Sequence, residues 1–190
     1  MRNYKAFLVT LLILPFLLIS CNEKQELFKE GSSDWYSYGE AKWYFSNKEL
    51  ISTIKNREGY LLTKQVYEDF VLEMEFKPDS TINTGVFIRC KNNDLNPTNC
   101  YEVNIWDLHP DKDNSTGSIV TRVAPLEFVE TINKWNTLKV RAKKNKIQVW
   151  INNRLTVDMV DDNLPEGHIG LQSKGTGEIR FRNSTIKILK

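Results

Sequence analysis

From Phe70 onward the apolar residues of this chain recur at every second position, and no window carries a sustained helical period. Phe70, Leu72, Met74 and Phe76 alternate with Val71, Glu73 and Glu75, and the same rhythm runs through 135–142, 146–151, 154–159, 167–172 and 178–188. Successive side chains of a strand point to opposite faces, so this alternation gives a sheet one apolar and one wet side. Shorter runs stand at 49–54, 60–63, 84–90, 100–107 and 117–121, split by turn signals such as Asn56, Gly59 and Pro78-Asp79. Asn152-Asn153 marks a two-residue hairpin, because Asn tolerates the positive φ of a type I′ turn. Many short strands with turns about every ten residues predict an all-β, antiparallel sandwich.

The N-terminus follows a different logic. Arg2 and Lys5 precede an apolar run from Ala6 to Ile19, the charged and hydrophobic regions of a secretory signal. The run falls short of the about 20 apolar residues that a membrane span needs. It ends in Leu18-Ile19-Ser20-Cys21, which looks like a bacterial lipobox, with Cys21 as the lipidated residue. The expected organisation is a lipoprotein signal over 1–20, a tether over 21–34 and one β-sandwich domain over 35–190. Asn22-Glu23-Lys24 lacks the aspartate associated with inner-membrane retention, so the expected location is the outer membrane, by a lipid anchor.

Without Arg2 and Lys5, the 26 basic residues of the chain become 24, equal to its 24 acidic ones. A balance near zero gives no electrostatic footprint for nucleic acid. Cys90 and Cys100 lie in a compartment that permits disulfides. Alternation, however, points Cys90 inward with Val86 and Ile88 and Cys100 outward with Glu102. They meet only if a bulge or loop intervenes, so the pairing is left open.

One strand carries chemistry. In Tyr101-Glu102-Val103-Asn104-Ile105-Trp106-Asp107 the odd residues 101, 103 and 105 face a core, which puts Glu102, Asn104 and Trp106 together on the other side. An acid, an amide and an indole suit a sugar: the carboxylate moves protons or binds hydroxyls, the amide binds hydroxyls, and the ring stacks on a pyranose. Phe87 and Arg89 stand on the same non-core side of the preceding strand, and Trp150, His168 and Gln172 are likewise out of phase with core residues. A plain half-solvated strand, with Arg89 and Glu102 as an ion pair, is the competing reading. Asp107, Asp111 and Asp113 offer oxygen ligands within one loop. A divalent cation such as calcium is thinkable there, although the glycine and distal Glu of a calcium loop are missing.

Several strings together resemble one family. They include Gly59-Tyr60-Leu61-Leu62-Thr63, Asn83-Thr84-Gly85-Val86-Phe87-Ile88-Arg89, Tyr101-Glu102-Val103-Asn104-Ile105, His109-Pro110-Asp111, Thr116-Gly117-Ser118-Ile119, Trp135-Asn136-Thr137, Gly170-Leu171-Gln172 and Phe181-Arg182-Asn183. Over about Trp43 to Leu189 the chain is similar to the bacterial 3-keto-disaccharide hydrolase domain family. The resemblance implies a concanavalin-A-like jelly roll whose concave face binds a carbohydrate. It also implies a glycosidase-type hydrolase acting on 3-keto-glycosides by elimination and hydration, with a partner oxidoreductase supplying the keto sugar. Such chemistry needs a base, here Glu102 or His109, and an enolate stabiliser, here Arg89 or a bound cation. Asn104, Trp106, Trp150, Gln172, Lys174 and Phe87 are the expected substrate-binding residues. Where many relatives carry Asp-His-Gly this chain has Ser173-Lys174-Gly175, which leaves open a non-catalytic carbohydrate-binding lipoprotein of the same fold. A hydrolase of ordinary glucans would need a second carboxylate, for which Glu73 or Glu75 is available.

Overall fold

Two strands longer than their sequence runs suggest hold the molecule together. The computed structural model describes residues 24–190; the signal segment 1–20 and Cys21 lie outside them. Within it β1 (Gln25–Glu26), β2 (Trp35–Gly39) and β3 (Lys42–Ser46) precede the long β4 (Glu49–Thr63). Then follow β5 (Phe70–Pro78), β6 (Ile82–Cys90), β7 (Tyr101–Ile105), β8 (Asn136–Lys143), β9 (Lys146–Ile151), β10 (Arg154–Val160) and the long β11 (His168–Ile188). β4 pairs along almost its whole length with 170–181 of β11. Gly175 faces Arg57 and Thr176 faces Lys55, leaving Asn56 as an extra residue at φ 52°. The Thr176 hydroxyl bonds both the Asn56 amide nitrogen (3.2 Å) and its side-chain oxygen (2.9 Å). A bulge bends a strand and sharpens its twist, so both strands pass from one layer into the other. The expected breaks at Asn56 and after Gln172 are therefore bends within continuous strands.

One layer runs β2–β4–β11–β6–β7, using 57–63 of β4 and 168–175 of β11. The other runs β3–β4–β11–β5–β8–β9–β10 on the remaining halves. All pairings are antiparallel, as the sandwich expectation required. Leu61, Val86, Tyr101, Val103, Ile105 and Leu171 of the first layer meet Phe70, Leu72, Phe76, Val140, Val149 and Phe181 of the second, each at most 1 % exposed. Burying a side chain of this size contributes about 1.5–3 kcal/mol. Asn152 and Asn153 hold the β9–β10 hairpin with φ of 51° and 64°.

The expectation of a tether over 21–34 is corrected. β1 pairs with β11, Gln25 opposite Ile186, and Leu27 and Phe28 are 6 % and 3 % exposed. The Phe28 ring lies 5.7 Å from that of Trp35. Two apolar residues thus dock the chain from Gln25 onward. The run 117–121 is not a strand: Gly117 and Thr121 take positive φ, and Ile119 makes only isolated bridges to Val103 and Val123.

A second bulge overturns the placing of Arg89. His168 pairs with Cys90 and Gly170 with Phe87, so Ile88 and Arg89 both stand opposite Ile169, Arg89 at φ 52°. The extra residue reverses the phase and turns Arg89 into the interior, where it is 0 % exposed. Its guanidinium donates to the carbonyls of Glu68 (2.8 Å), Lys144 (2.8 Å) and Leu164 (3.2 Å) and lies 3.4 Å from the Asp69 carboxylate. Burial pulls its pKa down, and Asp69 opposes the shift. A Cβ on Gly167 would stand 2.3 Å from the Arg89 carbonyl carbon, so only glycine lets the neighbouring chain close on the bulge. The same reversal carries Cys90 to the side of Cys100, and the two form a disulfide with Cα atoms 4.3 Å apart.

Arg89 is therefore a structural staple, neither an enolate stabiliser nor the ion partner of Glu102. Replacing it by Met removes the donor from three backbone carbonyls and the partner of Asp69, and should cost about 3–5 kcal/mol in denaturant unfolding. Arg89→Lys should recover little of that loss, because one ammonium cannot reproduce the planar fork.

Candidate functional site

On the outer side of the first layer, register sets the side chains in cross-strand rows. Tyr36, Leu62, Gly170, Phe87 and Glu102 make one row. Tyr38, Tyr60, Gln172, Gly85 and Asn104 make the next. Glu58, Lys174 and Asn83 make a third. Trp106 continues the alternation of β7 one residue past its end, beside that third row. The disulfide loop closes one end of the face, where Phe87, Leu62, Leu95, Cys90 and Cys100 form a small apolar cluster.

Glu102 is the group most altered by this setting. No side chain or backbone N–H of the described residues donates to its carboxyl, and burial pushes its pKa from the ordinary 4.5 up to about 7. The Lys174 ammonium pulls the other way, and the Glu58 carboxylate adds a smaller upward push. Glu58 Oε1 accepts from three donors: the Tyr60 hydroxyl, Gln172 Nε2 (3.2 Å) and Lys174 Nζ (3.3 Å). The face thus holds one solvent-starved acid beside an ammonium that a second carboxylate keeps in place. Among the described residues, Gln172 Oε1 and Asn104 Oδ1 are buried on this face without a hydrogen-bond partner.

Residues 23–187 match the family described as 3-keto-alpha-glucoside-1,2-lyase-like domain. The chain belongs to this family. No functionally curated protein is similar enough in sequence to match it. Among solved structures, a protein of Parabacteroides distasonis named as a candidate glycosyl hydrolase superimposes with a TM-score of 0.76 at 23 % identity, covering 88 % of this chain and 100 % of that one. The carbohydrate-binding module CBM66 of Bacillus subtilis gives 0.62 at 18 % identity, over 81 % and 95 % of the two chains. The lumenal domain of VIP36, bound to calcium and mannose, gives 0.61 at 13 %, over 90 % and 91 %. These likenesses establish the jelly-roll sandwich.

Within this lyase-like domain, Glu102, Asn104, Gln172 and Lys174 come together as expected. Phe87 shares their face but is 1 % exposed, with its ring edge-on to Tyr60 at 6.0 Å, so it is floor and not a contact surface. Trp106 packs edge-to-face on His109, ring centres 4.6 Å apart. His109 Nδ1 lies 2.7 Å from the Asp111 carbonyl oxygen and 3.1 Å from its amide, so the loop holds this nitrogen in either tautomer. The charged groups that act on Glu102 are Lys174 and Glu58, not His109.

Three expectations are corrected. Trp150 lies on the outer side of the other layer, with Lys139 Nζ 5.2 Å from its ring, because alternation decides a side chain's face but not its layer. Asp107 is buried and spent on structure: it accepts from Thr116 Oγ1 (2.5 Å), Thr131 Oγ1 (2.7 Å) and the Thr131 amide (2.6 Å). Asp111 caps the turn Lys112–Asn114, its carboxylate accepting from the Asp113 amide and from Asn114 Nδ2. Glu73 and Glu75 sit on β5 in the other layer, paired with Lys24 and with Arg182. The second carboxylate of the face is Glu58, which sequence reasoning passed over together with Tyr38 and Tyr60. Carrying the alternation of 60–63 back by two residues would have found Glu58.

The raised pKa of Glu102 makes it a liability to the fold. The folded state holds this proton more tightly than the unfolded one, so stability falls as pH rises from 4.5 to about 7 and levels off above. Glu102→Gln removes that penalty. Its melting temperature should exceed the parent's at pH 8, by an amount equivalent to about 3 kcal/mol, and match it near pH 4.

Proposed function

We propose that this protein cleaves 3-keto-glycosides by β-elimination, with Glu102 as the base, followed by hydration of the product. The observation that carries the reading is a carboxyl held near neutrality by desolvation, beside a fixed ammonium, on a face built for hydroxyls and rings. A base works best when its pKa lies near the working pH, and general-base assistance contributes about 10²–10⁴-fold. The ketone at C3 acidifies the C2 hydrogen. Glu102 takes that proton, and the electron pair moves onto the C3 oxygen as an enolate that the Lys174 ammonium stabilises. The enolate collapses to a C1=C2 double bond and expels the C1 oxygen, which takes a proton from the now neutral Glu102. Water then adds across the double bond and yields the free keto sugar.

Lys174 therefore takes the stabilising role first expected of Arg89, and Glu58 holds it in place. A cation–enolate contact of this kind needs no second carboxylate near the scissile bond, unlike ordinary glycoside hydrolysis. The ketone must be made beforehand, so an oxidoreductase acting on the glycoside is the implied partner reaction.

The decisive assay follows monosaccharide release from a 3-keto-disaccharide and from its unoxidised parent. Release should occur only from the keto form, rise with pH through about 7, and fall by roughly 10²-fold or more in Glu102→Gln. Lys174→Met should slow the reaction and move the pH limb upward, since the ammonium it removes lowers the acid's pKa. Binding of the keto sugar without release would instead make this a carbohydrate-binding protein.

We further propose that Cys21 carries a lipid anchor in the outer membrane. Four residues from Cys21 to Gln25 span at most about 14 Å, so the domain would ride close to the bilayer. Cys21→Ser should release the protein from the membrane fraction with its sugar chemistry intact; retention on the membrane would refute the anchor.

A further inference from the structure

The outer side of the second layer carries a pattern of its own. Register sets Lys187, Val71, Arg141, Gln148 and Asp158 in one cross-strand row. Thr185, Glu73, Lys139, Trp150 and Leu155 make the next. Lys143 and Lys146 stand opposite one another at the β8–β9 turn. Lys24 joins from the edge, its ammonium on the Glu73 carboxylate.

Six cations of this side, Lys24, Lys139, Arg141, Lys143, Lys146 and Lys187, thus stand against two carboxylates, Glu73 and Asp158. Pairing leaves the excess in place. Lys24 and Lys139 share Glu73, the latter at 3.9 Å, and Lys146 reaches Asp158 at 3.1 Å. Arg141 donates to the neutral Gln148 at 3.3 Å, and Lys143 donates to the Lys190 main-chain oxygen at 3.4 Å. One row further on, Arg182 and Glu75 balance each other. The rows around Glu102 on the other layer have the opposite sign, with Glu58 and Glu102 against Lys174. Amid the cations the Trp150 indole is half-buried, with Lys139 Nζ 5.2 Å from its ring. Indoles, and lysines with their long apolar stems, are the side chains that settle at the headgroup level of a bilayer.

Where the chain enters the fold decides what this side meets. Lys24 follows Cys21 by three residues, at most about 11 Å of chain. A lipid on Cys21 therefore sets the bilayer beside the edge that carries Lys24 and Glu73. We propose that the outer face of the second layer rests on a bilayer bearing anionic phospholipid headgroups, which turns the Glu102 face toward solvent. The inference rests on the anchor at Cys21 and adds which side of the domain lies down. Headgroup charge acts on Lys and Arg over about a Debye length, roughly 8 Å at physiological salt. At that range the face orients an anchored protein but does not hold an unanchored one.

The mature lipoprotein, mixed with vesicles of phosphatidylcholine alone or with one-third phosphatidylglycerol, tests this by flotation and by lysine acetylation read in peptide mass spectra. The protein should float with both vesicles. Lys139, Lys143 and Lys187 should be acetylated at least about threefold more slowly on the anionic vesicles at low salt, and the difference should vanish at high salt. Lys174, on the opposite side, should react equally on both. Neutralising the face by Lys139→Gln, Arg141→Gln and Lys187→Gln together should abolish the protection of Lys143 while flotation and monosaccharide release stay unchanged. Equal acetylation of the three lysines on the two vesicles, or protection of Lys174 in their place, overturns the proposed orientation and leaves the anchor standing. Flotation with the anionic vesicles alone, at low salt, keeps the face and removes the anchor; flotation with neither removes both.

Discussion

The buried guanidinium of Arg89 is the interaction on which the rest of this structure leans. It gathers the carbonyls of Glu68, Lys144 and Leu164, which come from three separate connections between strands, and closes that end of the sandwich. A buried cation is tolerable only when its donors are so fully used. The bulge that turns Arg89 inward also turns Cys90 outward, and the disulfide to Cys100 then caps one end of the outer face. A single inserted residue thus shapes both the core and the boundary of the groove.

The groove itself is arranged around scarcity of solvent. Glu102 lies beside a glycine, with no donor among the described residues, and burial raises its proton affinity. Glu58, by contrast, collects three donors and serves as the fixed anion that positions Lys174. Two carboxylates on one face are therefore driven apart in character by their surroundings, which is how a site assigns a proton-transfer role to one and an orienting role to the other.

Much of this was legible in the chain. Period-two alternation located β5 to β10 within a residue or two, chose the inward residues of β5 and β7, and put Glu102, Asn104 and Gln172 on one face. What alternation could not show is where its count slips. Arg89 and Cys90 were assigned to the wrong sides because one extra residue at 88–89 inverts the phase. The bend at Asn56 hid the continuity of β4 for the same reason, and with it the place of Glu58. Trp150 was misplaced by a different gap: a strand's pattern says inside or outside, and only the sheet pairing says which layer. Asp107 resembled a ligand because a buried carboxylate that ties two loops together has the same residue type as one that binds a metal.

The account turns on the proton affinity of one side chain, which can be read directly. Carbon-13 labelling of the glutamate carboxyls, with Glu102→Gln to assign the resonance, would follow Glu102 through a pH titration in the resting protein. A midpoint near 7 is predicted, well apart from the bulk of the glutamates. A midpoint close to 4.5 would mean that water reaches the carboxyl, and would contradict a desolvated base at the centre of the groove.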